Sequence, residues 1–160
     1  MRLHTKLLSV LFAALLGLSA TPSFAGPAET AFLQKLTANW VGKGRLVGAQ
    51  SGAVACRIDI TGGGQSARYQ GRCTIPDMAS QAFNGAIFYN DSAKRYEVRS
   101  INGTVAGVKR GGSLVFTTKS SSLGGTYYST MTLSPSSLSV HFTIVDKQGQ
   151  KTTSTISFSK

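Results

Sequence analysis

The sequence predicts an all-β fold, an antiparallel meander of about ten short strands that closes into a small barrel. Short runs of alternating apolar and polar residues recur along most of the chain, and Gly-, Asn- and Ser-rich turn signals separate them. The two cysteines fall in register on neighbouring runs. An open meander would leave two edge strands unpaired, so closure is favoured.

The first 25 residues are typical of a cleaved export signal, with the cut before Gly26. A basic start is followed by an apolar stretch at 7–20, which is shorter than the roughly 20 residues that cross a bilayer as a helix. Removing 25 of the 160 residues leaves 135, with 15 basic and 6 acidic side chains and His141 as the single histidine. We therefore expect an exported protein, in the periplasm of a Gram-negative bacterium or else secreted.

One short helix is predicted within 26–39, ahead of a barrel that spans 40–160. Phe32, Leu33 and Leu36 recur at helical spacing. We expect this helix to plug or cap one end of the barrel.

Cys56 and Cys73 are predicted to form a disulfide across the first hairpin. Residues 54–60 and 67–75 alternate with strand period, and a glycine-rich turn separates them. A fold at this turn sets Cys56 opposite Cys73, and an even cysteine count in an exported chain favours a bridge. A redox-active pair is the alternative, although such pairs usually have Cys-x-x-Cys spacing.

The last hairpin is predicted to fold about Gly149. This register sets Phe142 opposite Ile156 and Val140 opposite Phe158, so that the apolar faces match. Around Ser92, by contrast, two registers are equally compatible with the pattern. The remaining strands are predicted at 40–47, 82–89, 95–101, 104–109, 113–118 and 126–133.

Residues 36–44, Leu-Thr-Ala-Asn-Trp-Val-Gly-Lys-Gly, resemble the first-strand motif of calycin-type barrels, which include lipocalins, fatty-acid-binding proteins and nitrobindin-like barrels. The resemblance implies that Trp40 closes the base of the barrel, and that Gly42 and Gly44 allow a sharp bend in the first strand. The chain departs from the motif at Ala38, where the family has glycine. It also lacks the lipocalin Thr-Asp-Tyr motif.

The chain is also similar to small exported barrel proteins of Gram-negative bacteria. The shared features are Trp-x-Gly-x-Gly at residues 40–44, Cys56-Arg57 and the triplet Gly-Arg-Cys that ends at Cys73. This resemblance implies a compartment and a fold, and no particular activity.

No catalytic or metal-binding constellation stands out in the sequence. There is no Gly-x-Ser-x-Gly motif, a bridged cysteine is no nucleophile, and the few carboxylates lie apart in turns and on polar strand faces. One histidine and scattered carboxylates do not make a metal site. We therefore predict that the chain is not an enzyme and has neither a metal nor a cofactor.

His141 has one sharper interpretation, as a haem ligand, because nitrobindin-like barrels bind haem through a histidine on a late strand. The alternation argues instead for a solvated residue, since His141 shares a strand face with Ser139 and Thr143. Haem binding is thus a lesser alternative.

Arg57, Arg68 and Arg72 form a candidate anion-binding group on the outer face of the first hairpin. Arg57 falls opposite Arg72, and like charges in that position are destabilising. A solvated face with Asp59 bridging the arginines is the alternative. Nucleic acid is not expected as a partner, because the chain is exported and its charges are spread along the sequence.

Two functions remain open. The first is an exported calycin-like barrel that binds a small apolar or amphipathic ligand. The second is a non-enzymatic envelope-associated structural or interaction module, whose target is an anionic envelope component or a protein partner, including an enzyme that it inhibits. An interior filled by Phe142, Phe158 and Ile58 would favour the second, and a cavity would favour the first.

Overall fold

The structure is a computed structural model that describes residues 26–75, 79–122 and 124–160. The predicted export signal at 1–25 lies outside the described residues. Within those ranges the chain forms one helix and ten strands, which are α1 Pro27–Lys35, β1 Ala38–Gly48, β2 Gly52–Gly63, β3 Ser66–Ile75, β4 Ala79–Asn90, β5 Arg95–Ser100, β6 Gly103–Arg110, β7 Ser113–Ser122, β8 Gly125–Leu133, β9 Leu138–Asp146 and β10 Lys151–Ser159.

The ten strands close into a single antiparallel barrel. Each strand pairs with its neighbours in the chain, and β1 pairs with β10 from Val41–Ser159 to Gly48–Thr152. Closure leaves the described strands without an open sheet edge, as expected from the edge argument. The predicted fold class is confirmed, and so is the short helix that precedes the barrel.

The helix α1 covers one end of the barrel, where it packs against β2, β3 and β4. Leu33 and Leu36 are fully buried there. The Gly62 N–H, near the β2–β3 turn, donates to Thr37 Oγ1 at 2.8 Å. We call this the helix end. Since the strands run up and down in order, the odd-numbered strands end and the even-numbered strands begin at the opposite end, which we call the far end.

Two apolar clusters fill parts of the interior. The larger one lies towards the helix end and includes Trp40, Leu114 and Leu133 together with the helix leucines. The smaller one lies towards the far end and is formed by Leu46, Val54, Cys56, Phe142 and Ile156. Along each strand the side chains point alternately inward and outward. Both clusters are built from the inward ones, so each strand presents one apolar face to the interior.

The first hairpin has the predicted register. Cys56 pairs with Cys73, and Ile60 pairs with Tyr69. The two cysteines form a disulfide with a Cα–Cα distance of 4.1 Å, so the predicted bridge is confirmed. Its inward position ties β2 to β3 along the interior wall.

The predicted register of the last hairpin is wrong by two residues. Val140 pairs with Ile156 rather than with Phe158, and Phe142 pairs with Ser154. The cause is a tight turn built on Asp146, whose Oδ1 accepts hydrogen bonds from the Gln148 and Gln150 backbone N–H groups. A shift of two residues keeps every side chain on its predicted face, because the strand period is two.

The ambiguous hairpin around Ser92 takes the register that pairs Asn90 with Arg95. Asn90 Oδ1 accepts the Ala93 N–H at 3.0 Å, and its amide donates to Glu97 Oε1 at 3.1 Å. Arg95 Nε donates to the same carboxylate oxygen at 3.0 Å, although only 5% of the Glu97 side chain is exposed. Side-chain bonds therefore select between two registers that the apolar pattern leaves equal.

Candidate ligand cavity

The barrel encloses an apolar cavity of about 350 Å³. One wall comes from β2, β3 and β4, and the opposite wall from β8, β9 and β10. Ile58, Phe142 and Phe158, whose side chains would fill the interior under the second hypothesis, line this space. The interior is therefore partly open.

Glycines on the inner wall explain why aromatic side chains leave room. At four inward positions, the ring of the cross-strand partner occupies the space that a Cβ on the glycine would take, at distances under 3 Å. The glycine and aromatic partners are Gly42 with Phe158, Gly71 with Phe83, Gly85 with Tyr69, and Gly107 with Phe116. Covering a glycine in this way stabilises a strand and lays the ring against the wall.

The glycines at 71, 85 and 107 were not predicted from the sequence as determinants of the cavity. They occupy the inward phase of alternating strands, where a large apolar residue is the usual choice. The sequence signal that would have identified them is an inward-facing glycine on one strand, next to a strand that carries an inward-facing aromatic residue.

Two aromatic pairs stand on opposite walls. Tyr69 and Phe83 have ring centroids 6.4 Å apart on β3 and β4, and Tyr127 and Phe142 have centroids 5.9 Å apart on β8 and β9. In the ring of ten strands, β3 is opposite β8 and β4 is opposite β9. The cavity thus lies between two aromatic surfaces.

Polar groups are few in the cavity lining. Apart from the phenol groups of Tyr69 and Tyr127, they are the side chains of Gln81 and Ser129, and none of the lining residues in the described ranges is charged. Burial raises the pKa of Tyr69, which therefore stays a neutral phenol. A charged group of a ligand would find no compensating charge inside, and such burial is costly.

The mouth of the cavity lies at the far end. Gln81 and Tyr127 are the exposed members of the lining, and both sit near the far-end termini of their strands. Leu133 and Leu138 line the cavity from the helix end and are buried. A ligand would therefore enter from the side away from α1.

Trp40 lies in the buried cluster at the helix end and is 1% exposed. Its Nε1 has no hydrogen-bond partner among the described residues, and Lys160 Nζ lies 5.1 Å from the centre of its ring. A Cβ on Gly44 would meet Thr155 O and Ile156, so that glycine allows close approach of β10. That Trp40 closes the base, and that Gly42 and Gly44 bend β1, remain predictions.

His141 lies on the outer face of β9 and is exposed. Its Nδ1 is 3.0 Å from Thr155 Oγ1 on β10, and it does not line the cavity. A haem bound inside the barrel would thus have the strand backbone between itself and this imidazole.

The arginines of the first hairpin are exposed on the outer face, and Arg57 stands directly opposite Arg72 as predicted. Arg72 Nη1 donates to Ser80 Oγ at 3.2 Å, while Arg68 borders a shallow outer depression. In the described ranges, Asp59 forms no ion pair with any of the three arginines. Anion binding by this group remains a prediction.

The described part of the chain holds no group of three or more His, Cys, Asp or Glu side chains placed to bind a metal ion. Both cysteines are consumed by the disulfide. In the same ranges, none of the helical structure is long and apolar enough to cross a membrane.

Comparison with known proteins gives a likeness of fold. No protein-family model and no curated protein matches the chain. Among solved structures, the S-type phycobiliprotein lyase CPES from Guillardia theta is similar, with a TM-score of 0.56 and 13% sequence identity over 80% of this chain and 89% of that one. At this identity the likeness shows a shared barrel architecture alone, and the assignment to the calycin-type families stays a prediction.

That comparison corrects the prediction that the chain is not an enzyme. A protein of the same architecture is a lyase, so neither the barrel nor the lack of a linear motif excludes activity. The prediction was wrong because chemistry in a barrel depends on which side chains closure brings around the cavity. Because the inward positions recur at every second residue of many strands, those side chains are scattered along the sequence.

Proposed function

We propose that the barrel binds a small, neutral apolar or amphipathic molecule in its cavity. The observation that carries the proposal is the apolar cavity of about 350 Å³, in whose lining the described part of the chain places no charged residue. An engineered cavity of about 150 Å³ in another protein holds benzene, so this space suits a molecule larger than one aromatic ring. The filled interior that would have favoured an interaction module is not found.

The lining supports a definite orientation for such a ligand. Leu133 and Leu138 offer only hydrocarbon at the inner end, whereas Gln81 and the Tyr127 hydroxyl lie at the mouth. An amphipathic molecule would therefore bury its apolar body and keep its polar group at the far end. The aromatic pairs on the two walls favour a flat, unsaturated body, because ring faces stack on such groups.

Action in an oxidising compartment outside the cytoplasm is part of the proposal. The Cys56–Cys73 disulfide supports it, because disulfides persist in the periplasm and outside the cell and are rare in the cytosol.

The test is a titration of the purified chain with N-phenyl-1-naphthylamine, a neutral apolar dye that fluoresces in apolar sites. We expect saturable binding that Val140→Phe weakens at least tenfold, because Val140 lines the cavity. Ser139→Phe is the matched control, since the neighbouring residue lies on the outer face of β9. Absence of saturable binding, or equal loss in both variants, would contradict the proposal.

Native mass spectrometry of the protein purified from its own host would identify the ligand. A bound small molecule should dissociate on unfolding, and its mass gives its class. A clean apo mass together with dye binding would mean that the ligand exchanges during purification.

A further inference from the structure

We propose that the far end of the barrel docks on an anionic phospholipid surface and places the mouth of the cavity against the bilayer. Docking is a function in addition to ligand binding and does not depend on it. Its consequence, that the ligand is exchanged with the membrane, rests on the proposed function. Exposed apolar groups, their arrangement around the rim, and the local charge carry the inference.

Exposed apolar side chains concentrate at the far end. Ile101, in the β5–β6 turn, is 93% exposed, and Val47, next to the last residue of β1, is 60% exposed. Of the seven exposed large hydrophobic side chains in the described ranges, five lie in this half of the barrel: Val47, Ile101, Tyr127, Tyr128 and Ile144. A concentration of this kind marks a contact surface, whereas scattered single residues need no explanation.

These residues surround the mouth and do not cluster on one side. Val47 is on β1, Tyr127 and Ile144 are register partners on β8 and β9, and Ile101 follows β5. The strand order spaces the three positions around the whole ring. Three contact positions arranged in this way fit a broad, flat surface that faces the far end of the barrel. A peptide or a single side chain would contact one sector of the rim only.

The far end is also strongly basic. Seven basic side chains lie in its strand halves and turns: Arg45, Arg57, Arg72, Arg99, Lys119, Lys147 and Lys151. Among the described residues, Asp146 is the one acidic side chain there, and its Oδ1 already accepts two backbone hydrogen bonds. Basic residues near an anionic bilayer strengthen binding electrostatically, and apolar tips insert at the headgroup boundary.

The helix end carries about as many basic side chains, but its net charge is lower. Four of the five described acidic side chains, Glu29, Asp59, Asp91 and Glu97, lie there, and the ion pairs Lys94–Asp91 and Arg95–Glu97 neutralise part of its basic charge. An anionic surface would therefore orient the barrel with its mouth towards the lipid.

Flotation with vesicles of phosphatidylglycerol and phosphatidylcholine tests the docking, with pure phosphatidylcholine vesicles as the neutral comparison. We expect binding to the anionic vesicles only, weakened by salt. The double variant Val47→Ser with Ile101→Ser should lower the partition coefficient at least tenfold. The matched control is Val41→Ser with Val108→Ser, which removes the exposed valines of the other half, 42% and 56% exposed.

Charge reversal gives a second arm. Lys147→Glu with Lys151→Glu should also lower the partition coefficient by at least tenfold, whereas Lys35→Glu with Arg110→Glu makes the same change in net charge near the helix end and should have a much smaller effect. No binding to anionic vesicles, or equal losses from both ends, would overturn the proposal. So would a loss confined to the charge variants, since that means diffuse attraction without contact by the apolar rim.

The dye titration keeps the two proposals apart. A chain that binds vesicles through its far end but takes up no dye retains docking and loses the proposed ligand function. A chain that takes up dye but ignores anionic vesicles retains the ligand function and loses docking.

Discussion

Gly42 on β1 and Phe158 on β10 are register partners across the closing seam of the barrel, and the Phe158 ring occupies the space of a side chain on Gly42. The three atoms nearest to a Cβ at Gly42 all belong to this ring. Phe158 also lines the cavity. The missing side chain on one strand therefore lets a large ring on its neighbour lie flat and leave the lumen open.

Gly42→Ala should close part of the cavity. The added methyl group cannot coexist with the present position of the Phe158 ring, so the ring must tilt inward. We expect affinity for N-phenyl-1-naphthylamine to fall about tenfold and the free energy of unfolding to fall by about 1–3 kcal/mol, as for other overpacked sites. Dye titration and urea denaturation measure the two effects.

Gly107→Ala is the control for this prediction. Its Cβ would displace the Phe116 ring in the same way, but Phe116 does not line the cavity. This variant should lose comparable stability and keep its dye affinity. If both variants lose affinity equally, the effect comes from general loosening of the barrel, and the role assigned to Gly42 is wrong.

The period-two pattern was sufficient to predict the strands and their faces, because alternation is a local property that closure does not alter. The Cys56–Cys73 register was predictable because two independent signals, the turn and the cysteines, agree on it. The last hairpin was not, because the Asp146 carboxylate sets its turn through hydrogen bonds to backbone groups. The cavity depends on the orientation of aromatic rings across strand pairs, one of which is the closing pair β1 and β10. No local sequence pattern contains that information.

Replacing both cysteines, Cys56→Ala with Cys73→Ala, should destabilise the barrel but leave its cavity able to bind a ligand. The bridge closes a loop of 17 positions, and such a loop contributes about 3 kcal/mol in the chain-entropy model. We expect the midpoint of thermal unfolding to fall by on the order of 10 °C. Dithiothreitol should lower the wild-type midpoint similarly and leave the variant unchanged. A variant as stable as the wild type would refute a structural role.

Arg57→Thr should stabilise the chain, because Arg57 and Arg72 stand opposite each other and neither forms an ion pair with an acidic side chain in the described ranges. Relief of one like-charge pair is worth roughly 0.2–1 kcal/mol, and the gain should shrink as salt screens the charges. Arg45→Thr is the control, since Arg45 faces Ala53 and Thr155. If added phosphate raises the wild-type unfolding midpoint but not that of the Arg57 variant, the pair binds anions.

His141→Ala should leave the interaction with hemin unchanged. The imidazole is exposed on the outer wall beside Thr155, away from the cavity. Titration of wild type and variant with hemin, followed at the Soret band, should give superimposable curves. A Soret shift that the variant abolishes would establish His141 as a haem ligand.

Tyr96→Phe should reduce the fall in the free energy of unfolding at alkaline pH. Burial, with smaller contributions from Glu29 and Tyr89, raises the pKa of Tyr96 to about 12 from an ordinary value of 10.0. The unfolded chain therefore loses this proton at lower pH than the folded chain, so the stability that the neutral phenol contributes is fully present below pH 10.0 and is lost as the pH rises towards about 12. Removing the phenol removes this loss.

At neutral pH the same substitution should cost little, because the Tyr96 hydroxyl is buried and has no hydrogen-bond partner in the described part of the chain. Urea denaturation of wild type and variant at a series of pH values from 7 to 12 measures both effects. The two curves should coincide or favour the variant near neutrality, and then diverge in favour of the variant above pH 10.0. Parallel curves over the whole series would show that Tyr96 ionises equally in the folded and unfolded chains, whereas a loss of more than about 1 kcal/mol at neutral pH would show that its hydroxyl does have a partner.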